Sequence, residues 1–114
     1  MTQFYACAMN PTAYSSQFIA GAQDNGSQQY NALGINSTIE VTGGDGCFTH
    51  IDQDQPQYQF TSYVYNNYYR STNGGASFVG FTGNNTGSFV NPTDYDNLNN
   101  HLYACNGNGN YYVI

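Results

Sequence analysis

Positive charge is almost missing from this sequence. Arg70 is the one Lys or Arg among 114 residues, set against Asp24, Glu40, Asp45, Asp52, Asp54, Asp94 and Asp96, for a formal net charge of −6. A surface without cations cannot neutralise phosphates, so nucleic acid and anionic membranes are set aside as partners. Charged residues of both signs make up only 7% of the chain, which leaves solubility to Asn, Gln, Ser, Thr and Gly. Long apolar runs are missing too: no segment has the length of a membrane span, and the start lacks the basic region of a signal peptide. A secreted parent protein would then carry its signal upstream, with this chain an internal piece. Cysteine is sparse and odd in number. Cys7, Cys47 and Cys105 form no CxxC pair and have no His at zinc-site spacing, which leaves either one disulfide or three small buried apolar residues. His50 and His101 lie too far from further His or Cys to suggest zinc. No Ser-His-Asp order, nucleotide loop or redox pair is visible. Helical periodicity is absent as well. The longest candidate, Asp94 to His101, is rich in Asn and Asp, which favour turns over helix interiors.

What remains is aromatic and turn-forming. Twelve Tyr and seven Phe dominate the apolar content, a β-rich composition of extracellular character. Asn10-Pro11, Gln55-Pro56 and Asn91-Pro92 are each read as following a short aromatic strand, with a second strand a few polar residues later. The prolines lie 45 and 36 residues apart, near the roughly 40 to 50 residues of a propeller blade. The second strands run into Asp24-Asn25-Gly26, Asn66-Asn67 and Asn106-Gly107-Asn108-Gly109, residues that tolerate the left-handed geometry of tight hairpins. The expected units are residues 1–42, with strands near Gln3–Met9, Gln17–Gln23, Gly26–Asn31 and Ser37–Thr42; residues 43–82, with strands near Cys47–Asp52, Tyr58–Tyr65, Tyr68–Ser71 and Ser77–Thr82; and an unfinished unit over 83–114, with strands near Ser88–Val90, His101–Cys105 and Asn110–Ile114. The fold class is all-β, about two and a half four-stranded antiparallel blades.

The stretch Tyr69-Arg70-Ser71-Thr72-Asn73-Gly74-Gly75-Ala76-Ser77-Phe78 resembles an Asp-box, with Ser71, Asn73, Gly75 and Phe78 at its fixed positions and Asn73 in place of the usual Asp. An Asn carbonyl still accepts hydrogen bonds from nearby backbone N–H groups, as in Asx turns, and the glycines allow positive φ. With Ala20 to Gly26 and Gly43 to Phe48, the chain resembles the bacterial Asp-box (BNR) β-propellers of the sortilin-like and sialidase-like superfamily, as found in secreted proteins of Bacteroidetes type. The resemblance implies an extracellular or cell-surface binding or scaffolding module for a carbohydrate or protein ligand. A closed propeller needs at least four blades, so it also implies further blades of a parent protein or other copies as partners.

In a blade of that kind the turn between strands two and three and the link to the next blade share the channel face, which places Asp24 and Asp45 there. Paired carboxylates are what glycoside hydrolysis uses, one as acid and one as base or nucleophile, and this is the alternative function. Against it, Asp24 reads more simply as a turn residue before Asn-Gly, and Asp45 as a tight linker or cation site between glycines. Sialidases of the superfamily grip their sugar with an arginine cluster, and this chain has Arg70 alone, read as stacking on Tyr or pairing with a blade carboxylate. His50 falls on an inner strand, for packing or ligand contact. Tyr63, Tyr65, Tyr68 and Tyr69 alternate across strands, for blade packing or, at Tyr63 and Tyr65 above all, a ligand surface. Asp52, Asp54, Asp94 and Asp96 are surface turn acids, with weak Ca²⁺ binding as the sharper alternative and no other cofactor expected. Asn36-Ser37-Thr38 and Asn84-Asn85-Thr86 match the glycosylation pattern.

Overall fold

The computed structural model describes residues 2–32 and 37–114. These residues form an all-β fold of three antiparallel sheets, and no helix occurs among them. The first sheet is a meander of β1 (Phe4–Met9), β2 (Phe18–Ala22), β3 (Gly26–Tyr30) and β4 (Ile39–Thr42). The second repeats it with β5 (Thr49–Ile51), β6 (Gln59–Tyr63), β7 (Asn67–Ser71) and β8 (Val79–Gly83). The third holds β9 (Thr93–Asp96), β10 (His101–Cys105) and β11 (Tyr111–Val113). The sheets stand as partial propeller blades, the second between the other two. The repeat extends to irregularities: a register shift falls between Ser27 and Gln28 against β4, and another between Tyr68 and Tyr69 against β8. A bulge at the same place in two sheets bends both outer strands alike.

The third unit departs from expectation. Ser88–Val90 is not its first strand; Thr93–Asp96 is, and Pro92 precedes the strand instead of following it. The hydrogen bonds give the reason. Residues 87–91 lie back on the second sheet, where Phe89 O accepts the amide of Tyr65 at 3.0 Å and Asn91 Oδ1 accepts the amide of Ser88 at 2.8 Å. A segment so engaged cannot also pair with β10. The preceding link does the same job, with Gly44 O accepting from Gly26 N at 2.7 Å and Ala22 O from Gly46 N at 2.9 Å. Each inter-sheet link therefore closes over the tight turn of the sheet before it.

The repeat is keyed to an Asx side chain that ends each first strand. Asn10 Oδ1 accepts from Thr12 N at 2.9 Å, Asp52 Oδ1 from Asp54 N and Gln55 N at 2.9 and 2.8 Å, and Asp96 Oδ1 from Leu98 N and Asn99 N at 2.9 and 3.2 Å. These three are 42 and 44 residues apart, a tighter period than the prolines. Each uses its short side chain to turn the chain toward the second strand.

The sheets adhere through a core that is as polar as it is apolar. Ile19, Ala20, Ala22, Ile51, Phe60, Val64, Leu102 and Ala104 are buried beside Gln29, Gln59, Thr49, Thr61, Asn66 and Asn91. Between the first two sheets Thr49 Oγ1 donates to Ile19 O at 3.1 Å, Thr42 and Thr61 hydroxyls meet at 3.0 Å, and the backbones come so close that a Cβ on Gly21 would lie 1.8 Å from Cys47 O. Between the second and third, Tyr68, Leu102 and Ala104 pack with Phe81, Tyr95 and Ile114. The Asn91 amide there donates to Asn66 Oδ1 at 2.6 Å and to Cys105 O at 2.8 Å, while Asn66 donates to Cys105 O at 2.9 Å. Buried amides of this kind must be partnered, and here each partner lies on the neighbouring sheet or link.

Candidate functional site

The first strands of all three sheets, β1, β5 and β9, converge on one groove of about 460 Å³. Its walls carry Thr49, His50, Gln53, Asp94 and Asn97, with residues Ala6 to Met9 of β1 along one side. His50 Nε2 lies 2.8 Å from Thr93 Oγ1, which ties β5 to β9 across the sheet boundary. Burial lowers the imidazole to about 4, with the nearby Asp94 carboxylate opposing that shift only in part. His50 is therefore neutral at physiological pH, able to donate from one nitrogen and accept at the other. Gln53 Nε2 donates to Met9 O at 3.1 Å and to Ile51 O at 2.9 Å, fixing its carboxamide at the groove's edge. The lining is neutral apart from Asp94 and open on one side, its hydroxyl, amide and imidazole groups set among the apolar side chains of Ala6, Ala8, Met9, Phe48 and Ile51.

Asp24 and Asp45 come together away from His50, at the opposite end of the first sheet from Met9. Asp45 Oδ1 accepts the backbone amide of Asp24 at 2.8 Å, and Asp24 sits in the turn with φ 63°. One carboxylate oxygen of the pair is thus engaged in holding the turn against the link. Tyr63 lies beside them: a Cβ on Gly44 would fall 2.6 Å from its ring. Tyr65 is 39% exposed, has φ 60°, and meets Phe89 edge to face at 5.8 Å. Asp24 and Tyr65 occupy equivalent turn positions in the first and second sheets. The structure thus clusters Asp24, Asp45 and Tyr63, and places His50 and Tyr65 elsewhere.

The turn that resembles an Asp-box lies at the other end of the second sheet, where Ser71 pairs with Gln59. Ser71 Oγ donates to Asn73 Oδ1 at 2.8 Å and accepts from Gly75 N at 2.9 Å; Asn73 Oδ1 accepts from Ser77 N at 3.0 Å. Gly75 has φ 87°, and a Cβ there would strike Gln29 Nε2 at 2.1 Å. Phe78 is half-buried behind the turn. Glutamines that the sequence reading passed over grip this turn from the neighbouring sheet: Gln17 Nε2 donates to Gly74 O at 2.8 Å and Gln29 Nε2 to Gly75 O at 3.1 Å. The signal that could have found Gln29 and Gln59 was a polar side chain in an inward strand position, since both are buried.

Other expectations need correction. Arg70 stacks on Phe81, 5.3 Å from the ring centre, not on a tyrosine or carboxylate. All three cysteines are free; Cys47 is buried, but Cys7 is exposed and Cys105 only half-buried. Burial, with Asp45 adding to it, pushes the Cys47 thiol up to about 11, so it stays protonated. Asp52 is no surface acid: it is fully buried and accepts from Tyr95 OH at 2.8 Å, and burial together with this bond raises the phenol. Asp54 accepts from Asn97 Nδ2 at 2.6 Å, Asp94 is exposed at the groove, and hydrogen bonds from Asn99 hold Asp96 below the ordinary carboxylate range. Among the described residues no three His, Cys, Asp or Glu side chains gather as a metal site. Asn84 is exposed, whereas Asn36 lies outside the described residues. Also among them, no helix is long and apolar enough to cross a membrane. Compared with family models, curated proteins and solved structures, the chain matches none.

Proposed function

We propose that this chain is part of an extracellular Asp-box-type β-propeller and works as a binding or scaffolding module, with a neutral carbohydrate as the ligand class. One observation carries the reading: the three first strands frame a single groove whose polar groups are uncharged except for Asp94. Uncharged donors and acceptors beside a half-open wall suit hydroxyl-rich ligands, and the lack of any cation there disfavours anionic ones. Asp45 is occupied with the Asp24 amide, which supports a turn-holding role for the pair over hydrolysis.

The test is titration of the protein with neutral oligosaccharides derived from cellulose, starch, xylan and mannan, followed by calorimetry and the His50 imidazole resonances. Binding that moves those resonances, is weakened about tenfold or more by His50→Ala and survives Asp45→Asn supports the reading. Binding indifferent to His50, or sugar cleavage lost in Asp45→Asn, overturns it.

A further inference from the structure

An asparagine followed by glycine is prone to lose its side-chain amide, because glycine has no Cβ to keep its backbone nitrogen away from the asparagine Cγ. The chain has four such pairs, Asn25-Gly26, Asn73-Gly74, Asn106-Gly107 and Asn108-Gly109, each at a connection between paired strands. The reaction needs a glycine N–H free to give up its proton and a carboxamide free to swing onto that nitrogen. The fold withholds both from the first two pairs. Gly26 N donates to Gly44 O at 2.7 Å, and Asn25 Nδ2 donates to Gln23 O at 3.1 Å. Gly74 N donates to Gln57 O at 3.0 Å, while Asn73 is held at both ends of its carboxamide, Oδ1 accepting from Ser71 Oγ and Ser77 N and Nδ2 donating to Ser77 Oγ at 2.8 Å. The turn from β10 to β11 is built more loosely. Strand pairing leaves residues 23–25 and 64–66 to close the corresponding turns of the first two sheets, but residues 106–110 to close this one. Among the described residues neither Gly107 N nor Gly109 N has an acceptor. The two asparagines of the turn still differ. Asn106 Oδ1 is buried, and a Cβ on Gly107 would stand 3.5 Å from Gly87 N, so that pair is pressed against the preceding link. Asn108 is exposed, its side chain bonds to none of the described residues, and a Cβ on Gly109 would meet nothing within 4 Å.

We infer that Asn108 is a site of self-modification, where the side-chain amide is lost to water in the folded chain while Asn25 and Asn73 keep theirs. Hydroxide takes the proton of Gly109 N, and that nitrogen forms a bond to Asn108 Cγ. The Cγ–Nδ2 bond breaks, the leaving nitrogen takes a proton from water and departs as ammonia, and a succinimide ring remains. Water then opens the ring at either carbonyl, to give an aspartate or an isoaspartate whose backbone runs through the former side chain. Water is consumed and ammonia released, with no change of oxidation state. Each event carries the chain one negative unit beyond its formal charge of −6, and the isoaspartate also lengthens the β10–β11 turn by a backbone carbon. The bonds that shape the turn at Ser71 have the opposite effect, since they keep the Asn73 amide intact beside its own glycine. None of this depends on what the groove binds.

Incubation of the intact chain in mildly alkaline buffer, followed by ion exchange and by fragmentation mass spectrometry, tests the assignment. The expected result is one early species with an added negative charge, its change located at Asn108 and its rate rising with pH. Asn25 and Asn73 react about tenfold or more slowly than Asn108, because each first requires local opening. In urea the three react at similar rates, since the bonds that separate them are gone. Asn108→Gln, at an exposed position without side-chain bonds, keeps the far-UV spectrum and removes the early species. Conversion of Asn25 or Asn73 as fast as Asn108 in the folded chain overturns the inference. So does an early acidic species that persists in Asn108→Gln, or a folded chain in which Asn108 stays intact while the urea-treated chain converts.

Discussion

At neutral pH the His50 imidazole is uncharged because it sits among β5 and β9 backbones with Thr93 Oγ1 2.8 Å away, and protonation there would strand a charge. The unfolded chain takes up that proton near 6.5 and the folded one only near 4. Between these values the unfolded state binds more protons, so the stabilising contribution is complete above about 6.5 and is lost as pH falls toward 4. We expect a loss of about 2 kcal/mol across that window for a half-buried imidazole, seen as a falling urea midpoint, and a flatter profile in His50→Gln. A midpoint indifferent to pH in the wild-type chain would contradict the burial. At the Ser71 turn, Ser71→Ala removes both the bond to Asn73 and the acceptor for Gly75 N, and about 1–2 kcal/mol of stability is lost. Asn73→Asp keeps the acceptor of the Ser77 amide and changes stability by under about 0.5 kcal/mol. Equal losses in the two variants, measured by thermal unfolding, would mean that the turn is held by something other than these oxygens. The Ser71, Asn73 and Gly75 geometry was legible because a turn residue acts within its own few neighbours. The role of Gln17 was not, since its partner Gly74 is 57 residues away.

For the elements, ten of the eleven expected strands formed close to their expected places because aromatic runs and Gly or Asn turns specify a meander locally. The failure at Ser88–Val90 is instructive. Its composition suits a strand, but its amide and carbonyl groups are taken by Asn91 and Tyr65, and a two-sided commitment of that kind leaves no trace in composition. Proline marked the turn only twice, while the Asx residue that closes it recurs at Asn10, Asp52 and Asp96. Asn91 is the pivot of the misplaced segment. Asn91→Leu leaves the Ser88 amide without its acceptor and takes one donor from Cys105 O, at a cost of about 2 kcal/mol. Chemical denaturation measures it, and an unchanged midpoint would show that the Asn66 amide alone suffices.

Taken whole, the molecule is a stack whose sheets adhere through neutral hydrogen bonds as much as through oil-like contact. Composition announced this indirectly: with 7% charged residues the chain has few ion pairs to use, and its amides and hydroxyls serve in their place. Which amides meet across the stack depends on sheet order and on the angle between blades, and neither is written in any local pattern. The same scarcity of cations means that trypsin, which cuts after Lys or Arg, has one bond to attack, Arg70–Ser71. That bond lies in β7, with Arg70 paired to Phe60 on one side and Val79 on the other. A protease needs the segment free of its ladder, so cleavage becomes a clock for the opening of the central sheet alone, read as the conversion of one gel band into two. No other site blurs the count, and the rate should fall with any ligand that holds the middle of the stack shut.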